Sequence, residues 1–201
     1  MQTAQPVLEQ LFALYPQLFG ANFLPLKRGI FQELLAAHPE HFERDALKAA
    51  LAVHTRSTRY LQCVAAGTPR HDLQGTPVED MAPEHVFQAL LEVFRRRQAR
   101  SKDDLLPRLR TQLVVAYEAS GLSRQAYLER VQSNNAEADT LLGEAFAELD
   151  TQLAKHEALG RAFHSSGKSP EAFAEMYGMD LRDVKRALAG KAAVSATTPA
   201  A

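Results

Sequence analysis

The sequence predicts a mostly α-helical protein with one small β-hairpin. Three observations point there. Apolar residues recur at helical spacing along most of the chain, in stretches closed by Pro or Gly. One segment, His71 to Val78, instead reads as two short strands around Gln74-Gly75. Beyond Lys102 the helical spacing continues without another β signal.

In the first half, Leu8, Leu11, Phe12 and Tyr15 form a stripe that Pro16 ends. Ile30, Phe31, Leu34 and Leu35 mark a second helix starting near Lys27–Gly29. Leu47, Ala50, Leu51 and His54 mark a third, starting near Arg44, with His54 reading as packed. Thr55 resets the chain. With Ser57 close behind, it reads as the N-cap of a fourth helix whose apolar face is Tyr60, Leu61 and Val64. Gly67 and Pro69 stop that helix. His71-Asp72-Leu73 and Thr76-Pro77-Val78 are the expected strands, the second at an edge because of Pro77. Pro83 suits the first turn of a fifth helix with Val86, Leu90, Val93 and Phe94 inward. That helix ends in Arg95-Arg96-Arg97-Gln98-Ala99-Arg100, where the dipole favours cations.

In the second half, Leu105, Leu109, Leu113 and Tyr117 form a stripe closed by Gly121. Ser123 caps a short helix with Tyr127 and Val131 inward. Ala138, Leu141, Leu142, Ala145, Leu149 and Leu153 belong to a longer helix reaching Gly160, and Ser165-Ser166-Gly167-Lys168 reads as a turn or linker. Ser169-Pro170-Glu171 opens another helix, and Asp180 caps the last, which ends at Gly190. The expected division is a compact domain over 1–102, an all-helical extension over 103–190 and a disordered Ala/Ser/Thr/Pro tail over 191–201.

Composition narrows the function classes. Hydrophobic residues are 46% of the 201 and charged residues 23%, ordinary for a soluble globular protein. No apolar run reaches the roughly 18 residues of a membrane span, and no secretory leader pattern is visible. The single cysteine, Cys63, forms no internal disulfide and reads as a small half-buried apolar residue. A cytoplasmic location follows as an expectation, with no membrane partner. No carboxylate pair, nucleophile with base, or metal-ligand cluster stands out, so the expectation is a non-enzyme with no catalytic residue, cofactor or metal.

Net charge is −1, but it is unevenly spread. Residues 21–100 hold 11 Lys/Arg against 9 Asp/Glu, whereas 101–190 hold 11 against 14. A polyanion site must therefore come from clustering on one face. The run Phe23–Leu61 offers that clustering, because it sets cationic, hydroxyl and aromatic residues where helices begin. A helix start presents unpaired N–H groups and a dipole that favours anions.

The motifs Pro25-Leu26-Lys27-x-Gly29-Ile30-Phe31, Leu47-Lys48-x-Ala50-Leu51, Thr55-x-Ser57-x-Arg59-Tyr60-Leu61, Arg70-x-Asp72-Leu73-x-Gly75 and Glu84-His85-Val86 follow in that order. Together they resemble the ProQ/FinO family of bacterial RNA chaperones over roughly residues 8–100. The resemblance implies a compact FinO-type α/β RNA-binding domain followed by the all-helical region. It implies binding of small RNAs and mRNA 3′ ends, at a terminator-like hairpin with a 3′ U-tail, and post-transcriptional regulation. It also places Lys27, Arg44, Lys48, Tyr60 and Arg70 on the family's RNA surface.

Physical chemistry adds candidates. A-form RNA hides its base edges, so a protein reads phosphates, hydroxyls and unpaired ends. Thr55 and Ser57 supply hydroxyls at the helix start, and Arg56 and Arg59 supply forked donors. Tyr60 is placed to stack or hydrogen-bond near the 3′-terminal nucleotide. Arg96 and Arg97 extend the positive rim. Each has a structural alternative: Lys27 solvated at a helix start, Tyr60 in the core, Arg70 paired with Asp72 or Glu79, and Arg95–Arg97 capping a helix end. Departures from the family pattern fall at Ala52 and Ala65, where basic residues are frequent, at Thr58, where an aromatic is usual, and at Cys63, where Gly is usual. They imply weaker binding or greater dependence on hairpin shape. The long basic linker and β-rich module of the longest members have no counterpart in this sequence.

Residues Ser169 to Leu188 resemble a helix-turn-helix, with Gly178 at the turn, Ala174, Val184 and Leu188 inside, and Arg182, Lys185 and Arg186 outward. The alternative function is therefore a DNA-binding transcriptional regulator. The same pattern also describes a plain αα-hairpin, and acidic surroundings disfavour DNA. The C-terminal helices then serve stability, self-association or a protein partner, or compete with RNA for the basic surface.

Overall fold

The structure is a computed structural model that describes residues 4–132 and 135–195. It is mostly helical with one two-stranded antiparallel sheet. Two compact units divide after Leu142.

In the first unit, α1 (Ala4–Leu14) packs on α4 (Arg44–Thr55). Val7 and Leu11 form its buried edge, while Phe12, expected in the stripe, is 51% exposed. Pro16 does not merely end α1. It opens the single turn α2 (Pro16–Phe19), whose Leu18 and Phe19 are buried. Gly29 precedes α3 (Ile30–Ala37) in the left-handed region at φ 84°, a conformation that L side chains strain to adopt. Four buried residues of α4, Leu47, Ala50, Leu51 and His54, realise the expected stripe.

The next helix, α5 (Thr58–Ala65), packs on α6 (Pro83–Gln98). Strands β1 (Arg70–His71) and β2 (Pro77–Glu79) pair with Arg70 opposite Glu79. The strands are shorter than expected, and Leu73 falls in the turn. Asp72 Oδ1 accepts the Gln74 and Thr76 N–H groups at 3.0 and 2.9 Å, so an Asx-type turn occupies those positions. Gly75 completes it at φ 77°. A further rung ties this hairpin to the chain before α3: His71 N–H donates to Pro25 O at 2.7 Å and Lys27 N–H to His71 O at 2.8 Å.

Helix α6 is the hub. Val86, Phe87, Ala89, Leu90, Leu91 and Val93 are all buried, a wider face than one stripe, because α5, α7 (Leu106–Ser120) and α8 (Arg124–Val131) all pack on it. Full burial of the Val, Leu and Phe side chains among them stabilises by roughly 1.5–3 kcal/mol each. This moves the boundary expected after residue 102. Leu109, Leu113, Tyr127 and Val131 are core residues of the first unit, so α7 and α8 belong to it.

Helix α9 (Ala136–Ser166) carries the division between units and runs past Gly160. In the second unit α10 (Pro170–Tyr177) and α11 (Leu181–Ser195) form the expected hairpin around Phe173, Ala174 and Val184. Helix α11 continues past Gly190 to Ser195, so 191–195 are helical where a disordered tail was expected; 196–201 lie outside the described residues. No helix among the described residues is long and apolar enough to cross a membrane.

Candidate nucleic-acid interface

The junction between α4 and α5 sets the geometry. Ser57 is extended and its Oγ accepts the Tyr60 N–H at 3.2 Å, so Ser57 is the N-cap of α5. Thr55, expected as the cap, is the last residue of α4, and its Oγ1 donates to Leu51 O at 2.8 Å. Its helical backbone aims the hydroxyl back along α4. The first two N–H groups of α5, on Thr58 and Arg59, have no backbone acceptor among the described residues. The first turn of α5 carries no acidic side chain, unlike those of α3, α4 and α6. No acidic side chain of α5 itself therefore competes for this positive helix end.

Arg96 holds the junction together. Its Nη1 donates to Arg56 O at 2.7 Å and to Thr58 Oγ1 at 3.1 Å, while its Nε donates to Glu92 Oε1 at 2.7 Å. Arg96 thus caps the end of α4 and ties both helices to α6. Its Nε and Nη1 are committed to partners within the protein, so the Arg96 expected on an RNA rim acts first as a clamp. Arg97 turns away, lining a small cleft with Leu105 and Arg108 beside α7. Thr58, a departure from the family pattern, accepts one of these bonds through its hydroxyl.

A second knot forms at Leu26. Its N–H donates to the Tyr60 hydroxyl at 2.9 Å, and its C=O accepts Arg70 Nη1 at 2.9 Å. Tyr60 is 6% exposed, which corrects the expectation of a stacking platform: the ring is core. Burial pushes its phenol pKa up, against the opposing effects of the Leu26 N–H and the Arg70 charge, so the hydroxyl stays protonated. The Arg70 side chain is 14% exposed, and its Nε lies 3.9 Å from Glu79 Oε2, realising one of the two ion pairs considered for it. Glu79 also takes Arg28 Nε at 3.1 Å. Beside the knot, Lys27 Nζ donates to Glu33 Oε1 at 2.5 Å, and that bond raises the Lys27 pKa.

Along α4, Arg44, Lys48, Ala52 and Arg56 succeed one another every four residues, on neighbouring turns. Arg44, Lys48 and Arg56 are exposed. Arg44 lies over the Phe31 ring at 5.5 Å, whereas Lys48 and Arg56 make no ion pair among the described residues. Arg59 Nη2 donates to Ala21 O at 2.6 Å, and its guanidinium sits 4.9 Å from the centre of Phe23. The structure therefore joins Arg56, Ser57, Thr58, Arg59 and Arg96 at the junction. It joins Lys27, Tyr60 and Arg70 at Leu26, and Arg44 and Lys48 on the α4 row. Arg97 stands apart from all three groups.

Sequence reasoning missed Phe23, whose only cue is an aromatic outside any helical stripe near Pro25. Its ring packs 4.5 Å from His54 on one side and under Arg59 on another. Cys63 Sγ donates to Phe23 O at 2.9 Å, fixing the same loop. His54 lies among Phe19, Phe23 and Tyr60, and burial drives its pKa down to about 4. In the second unit, Lys185 pairs with Glu171 at 2.9 Å and Arg186 with Asp183, so two of the three cations expected to face a groove are engaged by acids.

The family model described as ProQ/FINO matches residues 1–105. An RNA chaperone ProQ of Shewanella amazonensis is 36% identical over 109 residues, 49% of this chain and 50% of that protein. One from Aeromonas salmonicida is 34% identical over 115 residues, 52% and 55% respectively. The chain spans about half the length of the curated relatives it matches. Among solved structures, a crystal structure of a FinO-like RNA chaperone from Neisseria meningitidis is similar at 30% identity and TM-score 0.39, covering 43% of this chain and 88% of that one. The solution structure of a ProQ homolog from Legionella pneumophila is similar at 27% identity and TM-score 0.41, covering 52% and 91%.

Proposed function

Because the chain belongs to the ProQ/FinO family through residues 1–105, we propose that it is an RNA chaperone acting by binding rather than catalysis. Its partners are structured RNAs: small RNAs and mRNA 3′ ends that finish in a stem and a single-stranded tail. Binding them regulates expression after transcription, in the cytoplasm.

The observation that carries this reading is the α5 start, with two unclaimed N–H groups, no acid in its first turn, and the α4 cations leading up to it. A phosphate placed there receives backbone donors at a helix N-terminus. Arg44 to Arg56 covers about 18 Å of helix at 1.5 Å per residue, enough to track several phosphates. Lys48 and Arg56 supply charge without first breaking an ion pair. Lys27, Arg59 and Arg70 supply the flanking field while their donors hold the scaffold. Shape recognition suits such a surface, since it offers many phosphate donors and A-form RNA offers few readable base edges.

A gel-shift comparison tests the mode. The RNAs are a terminator hairpin with its 3′ U-tail, the same hairpin without the tail, and the tailed hairpin ending in a 3′ phosphate. Tight binding of the first and weak binding of the other two is the expected result. Equal binding of all three would refute recognition of the tail at the α5 start.

A further inference from the structure

A cleft of about 340 Å³ opens between α1 and the end of α4, with Phe12, Phe19, Phe23, Val53, His54 and Ser57 on its walls. We infer that it is a nucleobase subsite, taking one unpaired base of the RNA whose backbone lies on the α5 start; the inference rests on the function proposed above.

Four observations favour a base as the occupant. Ser57 belongs both to the cleft and to the N-cap of α5, so a chain with a phosphate on that helix start has its next base within reach of the opening. The walls are aromatic and apolar, and two of them are exposed without serving the core: Phe12 at 51% and Val53 at 55%. Flat π-faces bind bases with little sequence preference. His54 on the same wall is 4% exposed and its Nε2 has no hydrogen-bond partner among the described residues, an orphaned polar atom beside the cleft. No Lys or Arg lines the cleft, whereas Glu9 does. A phosphate is disfavoured there, and a neutral ring with N–H donors is not.

The test uses the full-length protein and fluorescence anisotropy. The probes are a GC-rich hairpin with a 3′ uridine tail, the same RNA with one abasic nucleotide scanned through the tail, and the tailless hairpin. In the wild type, an abasic nucleotide at one tail position should weaken binding about tenfold, the scale of one base stacked on an aromatic side chain. Phe12→Ala should weaken the intact tail by a similar factor and lose nothing further with the abasic RNA at that position. Both proteins should bind the tailless hairpin alike. Phe12 is half exposed, so the variant folds, and Val53→Asp at the same rim gives an independent second reading. If wild type binds the tailed RNA tightly and both variants match it, the subsite is refuted and the RNA function stands. If wild type fails to discriminate tailed from tailless RNA, the proposed function fails as well.

Discussion

The Tyr60 hydroxyl accepts the Leu26 backbone N–H at 2.9 Å, across 34 positions of sequence. Arg70 takes the carbonyl of the same residue, so two side chains from separate elements hold both polar groups of Leu26. This fixes the segment leading to Lys27 against α5. Tyr60→Phe leaves the Leu26 N–H buried and unpaired. It should cost about 1–3 kcal/mol of stability, read from urea unfolding. RNA affinity measured well below the unfolding temperature should fall much less. A wild-type midpoint with a large affinity loss would instead place the hydroxyl in direct contact with RNA.

Neighbouring arginines at the end of α6 should behave differently. Arg96→Ala removes the donors to Arg56 O and Thr58 Oγ1 and should destabilise by about 1–2 kcal/mol. Arg97→Ala, exposed and outside that clamp, should stay within about 0.5 kcal/mol of wild type. Thermal unfolding of the two variants side by side checks the assignment, and equal midpoints would overturn it.

Lys48 tests the electrostatic part of the surface. It is exposed and without an ion pair among the described residues, so Lys48→Ala should leave stability unchanged. The slope of log affinity against log salt should fall by about one. Titrations at several salt concentrations measure this, and an unchanged slope would remove Lys48 from the phosphate path.

His54 gives the protein a pH dependence. Burial lowers its folded pKa from 6.5 to about 4, so the unfolded chain binds a proton between those values and the folded chain does not. Its contribution to stability is full above about pH 6.5, falls as pH drops towards 4, and levels off below. By linkage the loss is at most about 3 kcal/mol. Urea midpoints at pH 7 and pH 4.5 should converge in His54→Phe relative to wild type. A variant with the same pH difference as wild type would show that other groups set the acid limb.

The α10–α11 hairpin is the feature for which the residue pattern left two functions open. Its apolar spacing is the same whether it reads DNA or only packs, and Phe173, Ala174 and Val184 are buried as that spacing requires. What separates the alternatives is where the cations go. Lys185 and Arg186 are paired with Glu171 and Asp183, contacts between side chains on facing or adjacent turns that charge counting does not resolve.

The sequence by itself did not determine α2 or the helix ends expected at Gly160 and Gly190, but it did determine the order of most elements, the helix stripes and the hairpin turn. These follow from local rules, since periodicity, capping and turn chemistry act over a few residues. One of its errors was equally local: Thr55 stood for the Ser57 cap two residues on. Tertiary structure decided which side chains remain available. Arg70, Arg96 and Tyr60 have the chemistry of an RNA contact, yet each is held by a backbone group 34 to 44 positions away. Phe12 has the spacing of a core residue, yet it is exposed beside a cleft. Burial and long-range hydrogen bonds depend on which elements meet in space, and no window of sequence contains both partners.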